Sequence, residues 1–239
     1  KARGVPASLG GPAVPFHYGN LEEFKQKLSE HHGKVGVVIM EVQRYKDVDV
    51  HFLSEVKRLA HKAGAVLIFD EITSGFRLRA GGMHTLIGVN PDIVVLGKAL
   101  GNGFPISAIV GTRRVMEFAQ ETFISSTYWT ERVGFAAALE VIRRFKKDPV
   151  AKHLSQVGKY FRSEYESLLR ACGIKASIVG IAPAPHIELR EKDPLLLETV
   201  YTQEMLKKGF LASNLTYFSY AHSKKTVDLY LKASESVWR

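Results

Sequence analysis

Several features that define other protein classes are scarce in this sequence. Its 239 residues include one cysteine, Cys172, which excludes an internal disulfide framework and is typical of a reducing compartment such as the cytoplasm. No apolar run approaches the roughly 20 residues that a membrane helix needs, and no segment resembles a secretory signal. The histidines lack metal-ligand spacing, so no metal site is predicted. We expect a cytoplasmic protein with no membrane contact.

Acidic residues are fewer than basic ones, and the formal net charge is +9 at pH 7. An excess of basic residues suggests that nucleic acid could be a partner. The basic residues are spread along the chain, however, and pairs such as Lys146-Lys147 stand at apparent helix ends, where cations complement the helix dipole. No basic run is interleaved with aromatic residues, as a base-stacking surface requires. We therefore predict no nucleic-acid partner.

Apolar runs alternate with helical periodicity along the chain, which predicts an α/β fold with a mostly parallel sheet. The predicted strands are 35–40, 65–70, 92–96, 106–110, 174–179 and 185–189. The predicted helices are 21–30, 52–63, a long one ending near 148, then 150–171, 195–207 and 226–237. We place a domain boundary near residue 149, with a smaller C-terminal α/β unit after it.

Lys98 is the most informative residue. It is a lone cation at the end of the apolar run 92–96, and the segment that holds it, GKALGNG at 97–103, is rich in glycine. Burying an ammonium is costly, and that cost is rational if the amine must act as a nucleophile, for example in a Schiff base with an aldehyde. The alternative is a solvated lysine in a glycine-rich turn, and this window alone does not separate the two.

Asp70 and Glu71 end another buried strand, in the segment AVLIFDE at 65–71. An acid at the carboxyl end of such a strand projects into the crevice where open α/β sheets hold their ligands. The structural alternative is a helix N-cap or a turn acid. Because Lys98 follows its strand in the same way, carboxylate and amine are expected at one edge of one sheet.

These motifs resemble a known family. The segments LIFDEITSGFR at 67–77, PDI at 91–93 and GKALGNGFP at 97–105 are similar to the signature of the class III pyridoxal-phosphate aminotransferases. FRL at 76–78 followed by Gly81-Gly82 is most similar to the glutamate-1-semialdehyde aminomutase-like branch. The resemblance runs from about Phe16 to Trp238. It implies fold type I, a three-layer α/β/α domain, with residues 1–149 in the large cofactor-binding domain and 150–239 in the small domain.

The resemblance also implies roles for individual residues. Lys98 would carry pyridoxal 5'-phosphate as a Schiff base and move the proton between substrate and cofactor. Asp70 would pair with the pyridine nitrogen and hold it protonated, so that the ring acts as an electron sink. Ile72 would pack beneath the ring. Thr73 stands where some relatives place a glutamine near the phenolic oxygen of the cofactor.

The segment SSTYWT at 125–130 resembles the one whose threonine binds the cofactor phosphate of the neighbouring subunit. That likeness implies that Thr127 is a cofactor ligand and that the protein is a homodimer with shared active sites. The alternative for Ser126 and Thr130 is a helix cap before Glu131.

Glu41 ends the strand 35–40, where the family usually has Glu-Pro, but Val42 replaces the proline here. In some relatives this glutamate helps the enzyme to switch between two substrates. Because Val42 replaces the proline, we expect Glu41 to have a supporting role near the substrate rather than a catalytic one. Arg44 is a second candidate for an anionic substrate group, with a solvated surface arginine as the alternative.

Parts of the family pattern are missing from this sequence. We find no Gly/Ser-containing turn at a helix start that would cradle the cofactor phosphate. The aromatic residue that stacks on the outer face of the ring is missing too. We therefore expect the chain to be the carboxyl-terminal part of a longer enzyme.

The expected activity is amino-group transfer from a small-molecule amino donor to an aldehyde or ketone, as a transaminase or an aminomutase. Decarboxylation or epimerisation on the same scaffold remains an alternative, because no residue determines which substrate bond stands perpendicular to the ring. A non-catalytic dimeric relative is the third possibility.

Overall fold

A computed structural model describes residues 13–43, 45, 47–128 and 131–239. The described strands are β1 (Val37–Glu41), β2 (Val66–Asp70), β3 (Ile93–Leu96), β4 (Ala108–Gly111), β5 (Ala176–Val179) and β6 (His186–Leu189). The α-helices are α1 (Leu21–Glu30), α2 (Val50–Lys62), α3 (His84–Ile87), α4 (Arg113–Met116), α5 (Val133–Lys147), α6 (Val150–Ala171), α7 (Pro194–Lys207) and α8 (Lys224–Trp238). Short 3-10 helices span Lys98–Leu100 and Glu117–Glu121. Within the described ranges, no helix is long and apolar enough to cross a membrane.

The first four strands form one sheet in the order β1-β2-β3-β4. β1, β2 and β3 are parallel, and β4 runs antiparallel to β3. The α/β class with a mostly parallel sheet is therefore confirmed. Parallel neighbours need a crossover, and α2 supplies the one between β1 and β2.

The helices α1, α2 and α5 pack against one face of this sheet. Val38, Leu67 and Phe69 on that face contact Phe24 of α1 and the apolar side of α2. Val94 and Leu96 on the same face contact Ala138 of α5. On the opposite face of β1, Val37 and Ile39 are 53% and 59% exposed. Among the described residues, the helices thus cover one face of the sheet far better than the other.

The residues after α5 build a second core. Helices α6, α7 and α8 enclose the antiparallel pair β5-β6, and their buried centre is aromatic, with Phe161, Tyr165 and Tyr201. Phe145 at the end of α5 packs against this core and also against the cluster that Val94 and Leu96 of β3 form with α5. The connection between α5 and α6 is Asp148-Pro149, which lies at the predicted boundary. That boundary stays a prediction.

Most predicted elements exist, and their ends lie within two residues of the predicted ones. β1 begins at Val37 and reaches Glu41, whereas the prediction was 35–40. β4 begins at Ala108 rather than at 106, because Ile106 is still in a turn in which its N–H donates to Phe104 O. The one-turn helices α3 and α4 were not predicted, since four residues are too few to show helical periodicity.

A close contact inside the C-terminal unit gives a stability test. A Cβ atom on Gly158 of α6 would overlap the carbonyl oxygen of Ala182. We predict that Gly158→Ala lowers the free energy of unfolding by about 1–3 kcal/mol, because overpacking outweighs the better helix propensity of alanine. Urea unfolding measures this change.

The matched control is Gly36→Ala, where an added Cβ meets nothing within 4 Å. This control should change the unfolding free energy by less than about 0.5 kcal/mol. Equal effects of the two substitutions would show that the close approach at Gly158 is unimportant.

Candidate active site

The carboxyl ends of the three parallel strands lie side by side. Glu41 of β1 is the register partner of Asp70, and Asp70 is the register partner of Val95 in β3. Lys98 follows Val95 by three residues. The pairing thus brings the two acids and the segment with the lysine to one edge of the sheet. Glu41 is half-buried there, which suits the supporting place expected for it.

Lys98 opens the 3-10 helix after β3 and adopts a left-handed backbone conformation, with φ at 45°. Such a conformation is costly for a residue with a Cβ and is concentrated at functional sites. The Lys98 Nζ donates a hydrogen bond to Thr73 Oγ1 at 2.7 Å.

The structure corrects the expected burial of Lys98, since this residue is exposed. The reason is that β3 ends at Leu96, so the lysine stands beyond the covered part of the sheet, on the rim of the crevice.

Asp70 is half-buried at the end of β2. Its Oδ1 accepts a hydrogen bond from the N–H of Ile72 at 3.0 Å, which is the turn role considered for this acid. Among the described residues, Oδ2 accepts no hydrogen bond. One oxygen thus shapes the turn, and the other is free to meet a ligand.

The burial of Glu71 was not predicted from the sequence. Its side chain is fully buried, with 0% exposure. Its Oε1 accepts from the backbone N–H of His84 at 2.9 Å and from His84 Nδ1 at 2.6 Å. Its Oε2 accepts from the N–H of Met83 and from the Ser74 hydroxyl at 3.1 Å. Four donors therefore surround one carboxylate.

Two opposing effects act on the Glu71 carboxyl. Burial raises its pKa because the charged form loses water. The hydrogen bonds from His84 and Met83 outweigh burial, so the pKa lies below its ordinary value of 4.5. The carboxylate is accordingly ionised at neutral pH and holds its donors as a charged acceptor.

Arg77 was also missed as a site residue. Its Nε donates to the backbone oxygen of Thr73 at 3.2 Å, and its guanidinium lies 5.1 Å from the ring centre of Tyr217. Burial lowers the pKa of the guanidinium. Arg77 and Lys98 both line a cavity of about 900 Å³ between the two cores. Asp70 and Ile72 are not among the lining residues of that cavity, which is therefore the space beside the lysine.

Thr127 is exposed in the irregular segment before α5. Within the described ranges, no hydrogen bond joins it to Lys98 or Asp70. The cap considered for Ser126 is wrong, because Glu131 accepts from the N–H groups of Val133 at 2.6 Å and Gly134 at 3.1 Å. Thr130 and Arg44 lie outside the described residues.

Known proteins share these sequence features. The family model described as Aminotransferase class-III matches residues 21–209. The chain is 29% identical to 3-aminobutyryl-CoA aminotransferase of Cloacimonas acidaminovorans, over 92% of this chain and 56% of that protein. It is 31% identical to glutamate-1-semialdehyde 2,1-aminomutase of Hyperthermus butylicus, over 74% of this chain and 43% of that protein. It is 27% identical to 2'-deamino-2'-hydroxyneamine transaminase of Streptomyces kanamyceticus, over 95% of this chain and 59% of that protein.

Solved structures share the fold. The internal aldimine form of the FumI protein of Sphingopyxis sp. MTA144, which contains pyridoxal phosphate, superposes with a TM-score of 0.88 at 24% identity, over 94% of this chain and 56% of that one. An omega-transaminase of Sphaerobacter thermophilus gives 0.87 at 22% identity, over 99% and 59%. At these identities the likeness establishes the fold.

The chain spans about half the length of the curated relatives it matches. Those relatives include aminotransferases and aminomutases, so the branch suggested by FRL and Gly81-Gly82 stays a prediction. The family itself is settled by the match over most of the chain, together with the motifs around Asp70 and Lys98. This chain belongs to the class III aminotransferase family.

Proposed function

We propose that this chain forms the lysine-bearing part of a pyridoxal-phosphate-dependent enzyme that moves an amino group onto an aldehyde or ketone. The observation that carries the proposal is the hydrogen bond of 2.7 Å between Lys98 Nζ and Thr73 Oγ1. Thr73 is three residues beyond Asp70, so this bond brings the amine over the segment that follows the Asp70 strand.

The described residues fit this cofactor in three respects. Lys98 is exposed, so its amine is accessible to an aldehyde. Asp70 has one oxygen turned to the backbone and Oδ2 left for a protonated nitrogen. Ile72 stands close to Gly97, where an added Cβ would lie 3.4 Å from Ile72 Cγ2, so it offers an apolar surface beside the lysine segment.

Pyridoxal phosphate supplies an aldehyde for the amine and a ring that takes up electrons from a substrate bond. The residues of this chain do the rest. Lys98 Nζ would hold the cofactor through its aldehyde, and the free amine would hold or deliver a proton at its nitrogen. The negative charge of Asp70 Oδ2 would favour a proton on the ring nitrogen. The Thr73 hydroxyl orients the amine. We assign Glu41 to the substrate side of this edge, beside Asp70.

We also propose that the functional unit is a homodimer in which Thr127 reaches the cofactor phosphate of the partner. The segment around Thr127 exposes large apolar side chains, with Phe123 at 97% and Tyr128 at 78% exposure. Contiguous apolar exposure of this kind marks protein interfaces. The cytoplasmic location expected from the single cysteine is proposed with it.

The substrates are small molecules in this proposal, an amino donor and a carbonyl acceptor. The names of the relatives suggest the first acceptors to screen, which are a semialdehyde and a ketone on an aminoglycoside-like sugar. Dependence of the reaction on an amino donor distinguishes transfer from decarboxylation and from epimerisation.

The first prediction concerns the amine. In the complete protein, borohydride should fix a pyridoxyl label on Lys98, and Lys98→Ala should abolish this label because no other described lysine contacts Thr73. Mass spectrometry of the labelled peptide measures it. Lys159→Ala, at an exposed position of α6, is the control and should keep the label. A label on a different lysine would refute the assignment.

The second prediction concerns Asp70. Asp70→Asn keeps an oxygen for the Ile72 N–H and removes the charge opposite the ring nitrogen. Turnover should fall by about 100-fold or more, with a smaller change in KM, because the lost interaction stabilises charge in the transition state. Asp47→Asn, at an exposed position, is the control for steady-state kinetics. If turnover stays within a few-fold of wild type, Asp70 acts only in the turn.

The third prediction joins assembly to cofactor binding. Thr127→Ala should weaken both cofactor retention and dimerisation, because a ligand shared by two subunits stabilises their association by mass action. Ser126→Ala, the exposed neighbour, should affect neither. Sedimentation with and without cofactor is the measurement. A fully active monomer would remove Thr127 from the site without affecting the roles of Lys98 and Asp70.

A further inference from the structure

The loop that follows Asp70 starts and ends on the same buried side chain. Glu71 opens the loop, and its carboxylate binds Ser74 near the start and Met83 and His84 at the end. We call this group of contacts between Glu71 and His84 the Glu71-His84 clasp. It ties together two points that are 13 residues apart in the chain.

The backbone is built around the clasp. A Cβ on Gly82 would overlap the His84 ring and lie 2.7 Å from Glu71 Oε1, so only glycine fits between the two side chains. Inside the loop, Phe76 adopts a left-handed conformation, with φ at 54°, and its N–H donates to Gly81 O at 2.9 Å. An unfavourable conformation persists where surrounding contacts over-determine it.

The closed loop carries the residue that contacts the amine. Thr73 accepts from Lys98 Nζ through its hydroxyl and from Arg77 Nε through its backbone oxygen. Its neighbour Ser74 is itself held by Glu71 Oε2 at 3.1 Å. The position of the Thr73 hydroxyl is therefore connected to the clasp through one peptide unit.

We propose that Glu71 and His84 are positioning residues, whose clasp holds Thr73 against Lys98 and so sets the direction of the reactive amine. This role rests on the proposed function only in naming Lys98 as that amine. The chemistry fits the task, because a buried carboxylate with four donors is rigid only when each partner stays in place. Neither residue touches the amine, and both act through Thr73.

A second histidine-carboxylate pair in the chain provides a matched control. At the other end of the sheet, His61 Nε2 lies 2.8 Å from Asp92 Oδ2, and the same oxygen accepts from the Leu67 N–H at 2.9 Å. This pair is similar in chemistry but is remote from the carboxyl ends of the strands. His61→Ala should reduce stability without changing the behaviour of Lys98.

The test uses the complete protein freed of cofactor. Trace acetylation with acetic anhydride is followed by peptide mass spectrometry, which reports how fast Lys98 reacts relative to the exposed Lys159. His84→Ala should raise the relative rate of Lys98 by about threefold or more, because the amine loses its hydrogen bond to a positioned hydroxyl. His84→Asn keeps a donor at the position of Nδ1 and should react as wild type. His61→Ala should also react as wild type.

A double variant shows whether His84 acts through Thr73. In a Thr73→Val background, the further change His84→Ala should leave the rate of Lys98 unchanged, since the bond it positions is already lost. An equal factor in both backgrounds would overturn the proposal, as would a wild-type rate in His84→Ala. If His84→Ala does not fold, Ser74→Ala removes one donor and should raise the rate by a smaller factor. No rise in that variant would also overturn the proposal.

This test is independent of the proposed function. Acetylation is measured without cofactor, so it reports on the clasp even if wild-type Lys98 takes no pyridoxyl label. A failed borohydride label would refute the cofactor role of Lys98, whereas a failed acetylation difference would refute the clasp.

Discussion

The in-register pairing of the three parallel strands is the constraint on which the site depends. Because Glu41, Asp70 and Val95 are register partners, the chain segments that leave these strands emerge at one edge. A slip of one residue would turn Asp70 to the other face of the sheet and separate it from Lys98. The register is well specified, since Leu67 and Phe69 on the same strand are fully buried against α2.

A buried charge holds the segment that follows. Glu71 is costly to bury, and its donors repay that cost only if the loop closes on it. The consequence is a rigid connection from the strand end through Thr73 to the amine, in a part of the chain without regular secondary structure. The two neighbouring acids therefore have different roles. Asp70 has one oxygen available at the crevice, and Glu71 holds the backbone of the following loop.

The sequence predicted the strands well, whereas the roles of Asp70 and Lys98 stay predictions. Asp70 and Lys98 stand out because each ends an uninterrupted apolar run, and such runs are local signals. The clasp could not be predicted in the same way, because Glu71 and His84 meet only after the loop has folded. The exposure of Lys98 was also missed. The end of a strand can be predicted from the sequence. The solvent exposure of the residues after it depends on how much of the sheet the helices cover. The glycine pair Gly81-Gly82, which follows Glu71 by ten residues, was the only sequence signal that we can identify for a tight loop.

The most direct test of the account is a crystal structure of the complete protein with pyridoxal phosphate. We predict continuous density between Lys98 Nζ and the cofactor, with Asp70 Oδ2 within about 3 Å of the pyridine nitrogen, the range of a charge-assisted hydrogen bond. We also predict that the Glu71-His84 clasp is intact. A cofactor bound to another lysine, or a pyridine nitrogen facing a group other than Asp70, would contradict the account.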